Sequence, residues 1–487
     1  MTEDSKSKAY AIREEEQYFH EYAQHNEDCE KIWGLTSHTK ERGEFQRDRE
    51  RIVNAKSFRR MVDKAQIFTS SKGDHYRTRM THTMEVAQIA RSIANSLQLN
   101  IDLTEAIALG HDLGHTPFGH QGERTLQDIL TGRLDVGLPK AEGNNVYGGF
   151  KHNFQGVRML NVLEEKYILH EGLDVSYQVL EGVLKHTGFK RKECNNCGNK
   201  TGSERCFEKK CCDVGAFLGT GDESNLYMEY PFSTTLEGQV VAIADEIAQR
   251  SHDVDDAMSA GILRYDELSD FLRKNKMEAL CKVITSSYAK IREQSRDYIS
   301  EQQIICARVI SDIVNYLVND VVEQSRKNIN SFHEDELYLK KRRFSSCLIC
   351  FSKEGERTCK LLEGMVSRKV LNNPEVAKFD YNASRVIKAL FEIYYHNPRL
   401  LHKNTLRKLS IEIKKKLGKK VDFVDRDTQE IGGEFKRITD DVLWNLQSDA
   451  QEDWEKHRML VRVIVDYIAG MTDSYARNEY KSFMGIE

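Results

Sequence analysis

The chain has 487 residues, 30% of them charged, and its 72 lysines and arginines against 76 aspartates and glutamates leave a formal net charge of −4. This balanced composition creates no global basic field of the kind that points to a nucleic-acid partner. No apolar run approaches the roughly 18 residues of a membrane span, and the N-terminus lacks the apolar region of a secretory signal, so we expect a cytoplasmic protein without a membrane partner.

Helical periodicity runs through most of the chain, and strand-like stretches occur only at 66–69 and 420–424. We therefore predict a mainly α protein with at most one small hairpin. Three regions are expected: a charged, helical N-terminal segment (1–43), a metal-dependent catalytic core (44–260), and a helical C-terminal region (261–487) that contributes to the core and to oligomer contacts.

The first helix that carries candidate site residues is predicted at about 76–97. Its apolar stripe includes Val86 and Ile93, and His82 lies on the same face, with Arg79 one turn earlier. A single histidine on such a face is more often a core residue than a metal ligand, so His82 alone decides nothing.

The next predicted helix carries the pair His111-Asp112 at the end of its buried face. The stretch HDLGHTPFGHQGE then adds His115 and His120, while its glycines and proline break the helix. A further helix is predicted to begin near His120, which places His120 and Glu123 on one face. Core packing does not explain so many coordinating and proton-handling groups in one short stretch.

A loop rich in Gly, Pro and Asn, 131–149, follows this stretch and is expected to act as a lid or substrate loop. The chain then returns to helix with His152 at its start. A later helix carries Asp245 within the apolar run VVAIA, and Asp253 two turns beyond it. A carboxylate buried in such a run must be paired or bound to a metal, and the sequence leaves both interpretations of Asp245 open.

The segment 190–215 is polar and rich in cysteines, which are Cys194, Cys197, Cys206, Cys211 and Cys212. Four thiolates in a short segment without a core of its own are typical of a tetrahedral structural Zn²⁺ site. We expect such a zinc site here, with Cys211 or Cys212 as the fourth ligand. The alternative is a loop that holds reduced, incidental cysteines.

Two imidazoles and two carboxylates on buried helix faces form a mixed nitrogen and oxygen donor set: His82, His111, Asp112 and Asp245. Such donors favour Mn²⁺, Fe²⁺ or Mg²⁺ over thiolate-bound zinc. Four protein ligands leave positions for a water and a substrate oxygen, and the metal can lower the pKa of that water and neutralise a phosphate oxygen.

Further polar groups near this donor set indicate phosphate-ester hydrolysis. His120 could relay a proton, with Glu123 orienting its imidazole. Three other residues could hold phosphate oxygens: Arg79, His115 and His152. Residue types and spacing indicate this class of reaction, but they do not choose the substrate.

Several motifs in a fixed order resemble one known family. HDLGHTPFGHQGE and the upstream RTRMTHTMEVAQIAR are closely similar to motifs of the HD-domain deoxynucleoside triphosphate triphosphohydrolases, the dGTPase family. The similarity includes FQRDRERIVNAKSFRRM, KHNFQGVRML, VVAIADEIAQRSHDVDDA and, near the C-terminus, VDYIAGMTDSYA. It extends from about residue 44 to 480, and an ordered set of motifs is far more specific than an isolated His-Asp pair.

The resemblance implies a mainly helical HD fold, with additional C-terminal helices, and a single catalytic metal held by His82, His111, Asp112 and Asp245. It also implies the reaction, in which a deoxynucleoside triphosphate (dNTP) is split at the α-phosphorus into deoxynucleoside and inorganic triphosphate.

By motif position, the same resemblance implies roles for seven further residues. The catalytic histidine would be His120, with Glu123 as its acidic partner. The phosphates would be contacted by Arg79, His115 and His152. The sugar 3′-hydroxyl would be contacted by Gln66, and Asp253 would lie near the sugar or base.

The chain departs from the family pattern in two places. Gln249 stands four residues after Asp245, where several relatives have a tyrosine that packs on the deoxyribose, so discrimination against ribonucleotides would come partly from elsewhere. The cysteine-rich segment 190–215 resembles an insertion that is not general to the family. The resemblance further implies a homo-oligomer, commonly a hexamer, and leaves open a nucleotide effector, single-stranded DNA binding, the native metal and the preferred dNTP.

Two other hypotheses stay open. One is an HD phosphohydrolase that acts on a cyclic or alarmone nucleotide, which the released product would distinguish. The other is a catalytically silent nucleotide sensor or nucleic-acid-binding protein that uses the cysteine-rich segment and the lysine-rich stretch 403–423, which is otherwise a solvated helix face. The second hypothesis predicts salt-sensitive DNA binding that Asp112→Ala leaves unchanged.

Overall fold

A computed structural model describes residues 18–34, 42–66, 77–139, 147–168, 170–187, 223–294, 301–370, 374–409 and 451–486. Within these ranges the chain is helical and forms no β-strand beyond two isolated β-bridges, which confirms the predicted mainly α fold. Both stretches with predicted strands lie outside the described residues, apart from Gln66. No helix in the described ranges is long and apolar enough to cross a membrane.

The described residues form sixteen α-helices. They are α1 (Glu44–Val53), α2 (Lys56–Arg60), α3 (Arg79–Ser96), α4 (Ile101–Gly110), α5 (Gly119–Leu130), α6 (His152–Arg158), α7 (Tyr177–Lys185), α8 (Leu236–Ser259), α9 (Tyr265–Lys274), α10 (Glu278–Gln294), α11 (Glu301–Asn330), α12 (Glu336–Lys341), α13 (Lys353–Val370), α14 (Pro374–His396), α15 (Gln451–Ala469) and α16 (Asp473–Met484). One turn of π-helix, Met159–Leu163, extends α6.

Helix α8 is the centre of the described core, where it packs against α3, α4, α7, α11 and α13. Its run VVAIA explains this position, because Val240, Val241 and Ala244 are fully buried and their small or β-branched side chains let other helices approach closely. The helix begins at a conventional cap, in which the Thr235 side chain accepts a hydrogen bond from the Gly238 amide. Asp245 is therefore held in the middle of the packed helices.

The C-terminal helices α15 and α16 hold the loops of the preceding core in place. Arg158 donates to both oxygens of the Asp466 carboxylate from Nε, at 3.1 and 2.9 Å, and to one of them from Nη2, at 2.7 Å. The Asp473 carboxylate accepts from the backbone amides of Ala65, at 3.1 Å, and Phe118, at 2.8 Å. These contacts give a structural reason for the C-terminal motif VDYIAGMTDSYA, since both aspartates belong to it.

The N-terminal segment differs from its prediction where it is described. Residues 18–34 hold one turn of 3-10 helix, Asn26–Asp28, instead of the expected helix. Their backbone bonds to distant side chains: the Gln24 amide donates to Glu237, at 2.9 Å, and the Trp33 amide donates to Asp174, at 3.1 Å. The prediction was wrong here because tertiary hydrogen bonds replace those of a helix.

A buried histidine joins the loop before α6 to the C-terminal helices. The ring nitrogens of His457, which is fully buried on α15, lie 3.4 Å from the Tyr147 hydroxyl and 3.0 Å from the Tyr395 hydroxyl. Burial lowers the pKa of His457 to about 4, against an ordinary value of 6.5. The folded protein therefore holds this ring neutral.

We expect His457 to make the protein less stable in mild acid. Between pH 6.5 and 4 this histidine binds a proton in the unfolded chain but not in the folded chain. The free energy of unfolding therefore keeps its full value above about pH 6.5 and falls by about 2 kcal/mol by pH 5. Urea unfolding of wild type and His457→Phe between about pH 8 and 5 measures the effect, with His333→Phe at an exposed position as control. Parallel curves for wild type and His457→Phe would contradict the expectation.

Candidate active site

The end of helix α4 places His111 in the core, where one of its ring nitrogens has no hydrogen-bond partner among the described residues. Nδ1 of His111 lies 2.6 Å from the carbonyl oxygen of Ala108, which has no partner within the helix because it belongs to the last turn. The N–H of the ring therefore donates to this carbonyl, and Nε2 keeps its lone pair. Nε2 is buried without a hydrogen-bond partner in the described structure. A buried acceptor in this state calls for a ligand.

The four predicted metal ligands converge around this nitrogen. Nε2 of His111 lies 3.5 Å from Asp112 Oδ1 and 3.7 Å from Asp245 Oδ1. Nε2 of His82 lies 3.1 Å from Asp245 Oδ1 and 3.8 Å from Asp112 Oδ2. The structure thus gathers side chains from α3, the end of α4 and α8 into one cluster of two imidazoles and two carboxylates.

The Asp112 carboxylate is held in the ionised form. Burial by itself would raise the pKa of Asp112, but the charges around it, among them that of Arg79, hold this pKa well below its usual value. Arg79 donates directly to Asp112 Oδ2, at 2.6 Å.

These residues fit a divalent metal. The free lone pair of His111 lies with His82 and Asp112 in one buried cluster, which the carboxylate of Asp245 adjoins. Mixed nitrogen and oxygen donors of this kind suit Mn²⁺, Fe²⁺ or Mg²⁺. The hydrogen bond from Nδ1 of His111 to a carbonyl is the second contact that a metal-binding histidine generally makes. The candidate ligands are therefore His82, His111, Asp112 and Asp245.

A second group of histidines adjoins the metal cluster through Asp112. Nε2 of His115 lies 3.1 Å from Asp112 Oδ1. The rings of His115 and His152 are stacked, with centroids 3.8 Å apart and an interplanar angle of 14°. His120 lies at 5.4 Å from the ring of His115 and is exposed, unlike the other two. Desolvation, and then the charges of Arg79 and His152, lower the pKa of His120 to about 4.

The Glu123 carboxylate has a different partner from the predicted one. Its Oε2 accepts a hydrogen bond from Nδ1 of His152, at 2.7 Å, and its Oε1 lies 3.4 Å from Lys151 Nζ. A ring nitrogen of His120 lies within 4.8 Å of the carboxylate. Glu123 therefore orients His152 directly in this structure, instead of His120, because the start of α6 brings His152 across the first turn of α5.

A left-handed turn starts α5 and places His120. Phe118 and Gly119 have φ angles of +63° and +58°. A methyl group at Gly119 would lie 3.1 Å from the carbonyl oxygen of Gln66 and 3.3 Å from Arg79 Nη2, so this position needs glycine. The structure thereby brings the backbone of Gln66 and the side chain of Arg79 to the start of the helix that carries His120.

The remaining predicted residues lie farther out or are not described. Asp253 is half-buried on α8, and burial raises its pKa to about 7. No hydrogen bond joins Asp253 to His82 within the described residues, where the His82 ring contacts His252 and Asp245. The predicted zinc ligands, Cys194, Cys197, Cys206 and Cys211 or Cys212, lie outside the described residues, as does the lysine-rich stretch after residue 409.

Sequence reasoning missed three buried residues that contact the candidate site. Nε2 of His186 lies 3.3 Å from Nε2 of His152, and Nδ1 of His252 lies 3.2 Å from Nδ1 of His82. Lys64 donates to the carbonyls of His115 and Ala469. One signal could have revealed His186: like His111, it follows the end of an apolar helix, and its Nδ1 lies 2.7 Å from the carbonyl three residues earlier.

Comparison with known proteins finds two domains of known families. A model of the HD domain matches residues 79–250, and a model of the phosphohydrolase-associated domain matches residues 349–424 and 426–482. The chain therefore contains an HD domain followed by a phosphohydrolase-associated domain. These matches confirm the resemblance seen in the motifs, and the predicted ligands from His82 to Asp245 all fall within the matched HD domain.

The chain is similar over nearly its whole length to curated relatives. It is 29% identical over 451 residues to a deoxyguanosinetriphosphate triphosphohydrolase-like protein of Rickettsia bellii, and the aligned residues cover 92% of this chain and 93% of that protein. Similar proteins of the same description come from Rickettsia felis, at 28% identity over 451 residues with the same coverage, and Rickettsia prowazekii, at 29% over 444 residues with 90% and 91% coverage.

Proposed function

We propose that this protein hydrolyses deoxynucleoside triphosphates, dGTP among them, to deoxynucleoside and inorganic triphosphate at a single divalent metal. The observation that carries the proposal is the buried, unpartnered Nε2 of His111, which lies 3.5 Å from the carboxylate of Asp112 and 3.7 Å from that of Asp245. The relatives described as deoxyguanosinetriphosphate triphosphohydrolase-like support the choice of substrate class. A metal bound there, Mn²⁺, Mg²⁺ or Fe²⁺, would lower the pKa of a bound water and neutralise a phosphate oxygen.

The groups beside the metal ligands suit a triphosphate. Arg79 contacts Oδ2 of Asp112, and His115, on which His152 stacks, contacts Oδ1. Lys151 lies next to Glu123. Cationic and N–H donor groups in a partly buried site hold phosphate oxygens and keep the α-phosphorus in place for attack. In this proposal Gln66 contacts the sugar hydroxyl, and Asp253 lies near the sugar or base.

His120 is proposed to move the proton. A bond forms between a water oxygen and the α-phosphorus while the bond from that phosphorus to the 5′-oxygen breaks, so the 5′-oxygen leaves with a proton and the water loses one. His120 is the exposed member of the histidine cluster, and its pKa of about 4 keeps it neutral near pH 7. A neutral imidazole can accept the proton from water and return it to the leaving oxygen.

Product analysis tests this proposal directly. The purified protein is incubated with Mn²⁺ and each of the four dNTPs, singly and mixed, and the products are separated by anion exchange. Deoxynucleoside together with intact triphosphate would support it, and turnover only in mixtures would add an activating nucleotide. Monophosphate with pyrophosphate, or no product despite bound metal, would overturn it.

The substitution His120→Ala is expected to lower kcat by about 10² to 10⁴-fold and to leave Mn²⁺ affinity unchanged. The reason is that the ring moves a proton but does not belong to the proposed ligand set. Rapid-quench assays with isothermal titration of Mn²⁺ measure both quantities, with His333→Ala, at an exposed histidine between α11 and α12, as the matched control. Near wild-type turnover of His120→Ala with metal bound would show that the assigned role is wrong.

Other expectations, some from the sequence itself and some from the resemblance, stay predictions. They are the homo-oligomer, the nucleotide effector, single-stranded DNA binding, structural zinc, the cytoplasmic location and the three regional boundaries. Light scattering would measure the subunit count, and metal analysis of the purified protein would decide whether zinc is bound.

A further inference from the structure

The two candidate histidine ligands, His82 and His111, fix the position of their ring proton in different ways. A histidine that binds a metal through Nε2 must keep its proton on Nδ1. His111 meets this need through the free carbonyl of Ala108 in the last turn of α4. His82 is the fourth residue of α3, where backbone carbonyls already accept from amides of the next turn, so it needs a side-chain partner instead.

His252 supplies that partner. Its Nδ1 lies 3.2 Å from Nδ1 of His82, with the ring centroids 5.2 Å apart and the planes at 77°. Both rings are buried, His82 at 3% and His252 at 4% exposure, so water does not compete for this contact. Two facing ring nitrogens can share only one proton, and the other contact of His252 decides where that proton lies.

The Glu85 carboxylate fixes the proton of His252. Glu85 lies one turn after His82 on α3 and contacts Nε2 of His252 through Oε2. Burial opposes ionisation of Glu85, but the hydrogen bond with His252 and the charge of Arg77 lower its pKa. Nε of Arg77 lies 3.2 Å from Glu85 Oε2, and the same guanidinium contacts Asp255 and Asp256, which holds it in place. An ionised carboxylate accepts only, so Nε2 of His252 carries the proton.

We propose that Glu85 and His252 are positioning residues that hold His82 in the tautomer with its proton on Nδ1, so that its Nε2 lone pair points at Asp112 and Asp245. A neutral His252 with its proton on Nε2 has only a lone pair on Nδ1, and His82 donates to it. Nε2 of His82 is then an acceptor 3.1 Å from an oxygen of Asp245, and a cation between two acceptors relieves their repulsion. This inference rests on the metal site in the proposed function.

The test measures Mn²⁺ affinity in a set of variants at His252. Leucine at position 252 fills a similar space and cannot accept a hydrogen bond, so His252→Leu is expected to weaken Mn²⁺ binding by about 10 to 100-fold. Glutamine has one carbonyl to accept from His82 and one amide to donate to Glu85, so His252→Gln should restore affinity to within a few-fold of wild type. Glu336→Gln, which removes a carboxylate from an exposed ion pair with Lys340, serves as control.

A merely structural role for His252 would give a different pattern. In that case His252→Leu would bind Mn²⁺ like wild type, or His252→Gln would fold without restoring affinity, and either result would overturn the proposal. Long-range ¹H–¹⁵N spectra of the metal-free protein report the tautomer itself: Nδ1 of His82 should be protonated in wild type and only partly so in His252→Leu. An unprotonated Nδ1 in wild type would also overturn it.

The same variants and spectra distinguish a failure of this inference from a failure of the proposed function. If wild type takes up no Mn²⁺, the proposed metal site fails, while the tautomer spectra still decide the role of His252. If wild type binds Mn²⁺ and His252→Leu binds it equally well, only the role of His252 fails.

Discussion

Replacing Asp245 by asparagine is expected to lower dNTP hydrolysis by about 10³-fold or more and to abolish measurable Mn²⁺ binding. Asparagine keeps the shape of the side chain but removes a charge that lies 3.1 Å from His82 and 3.7 Å from His111. Loss of the metal removes several kcal/mol of charge stabilisation in the transition state, and each 1.36 kcal/mol is tenfold in rate. Among single substitutions, we expect this one to have the largest effect on activity.

Thermal unfolding with and without Mn²⁺ distinguishes loss of metal from loss of fold. A ligand that binds only the folded state raises its stability, so Mn²⁺ should raise the Tm of wild type but not that of Asp245→Asn. The matched control is Glu246→Gln, the adjacent carboxylate on α8, whose nearest cation is Arg250 at 3.9 Å. Asp245→Asn with wild-type Mn²⁺ affinity would remove Asp245 from the ligand set.

The convergence of the four candidate ligands could be predicted because each lies on a buried face of a local pattern. His82 shares a stripe with Val86, His111 ends the apolar α4, and Asp245 interrupts a run of buried alanine and valine. A polar group in such a position needs a partner, and only another buried polar group can provide one. Periodicity therefore identifies the members of the cluster, although their exact contacts depend on tertiary packing.

The contacts among these groups were beyond sequence reasoning. Helical spacing places Glu123 and His120 on one face and so predicts that they pair, yet the carboxylate bonds to His152 of α6. His252 joins His82 only because α8 packs on α3. Helical spacing describes neighbours within one helix, whereas these pairs depend on how separate helices cross.

A close approach of two backbones, between the loop after α4 and helix α6, is equally invisible in the sequence. An ideal Cβ at Gly114 would lie 1.9 Å from the carbonyl oxygen of His152 and 2.2 Å from the amide nitrogen of Gly156. Backbone atoms cannot rotate away as a side chain can. The absence of a side chain at Gly114 therefore allows His115 to reach the ring of His152 and stack on it.

The substitution Gly114→Ala is accordingly expected to destabilise the protein by about 3 kcal/mol or more, at or above the upper end of ordinary overpacking, and to reduce hydrolysis by displacing His115 from His152. Urea unfolding measures the loss of stability, and kcat measures the loss of hydrolysis.

Gly364→Ala is the matched control, because no atom lies within 4 Å of the added methyl on α13. Alanine is favoured over glycine within a helix by about 0.5 to 1 kcal/mol, so this control should be neutral or slightly stabilised. Equal urea midpoints for Gly114→Ala and wild type would mean that the loop and α6 do not approach as closely as described, and the stacking of His115 on His152 would then lose its structural basis.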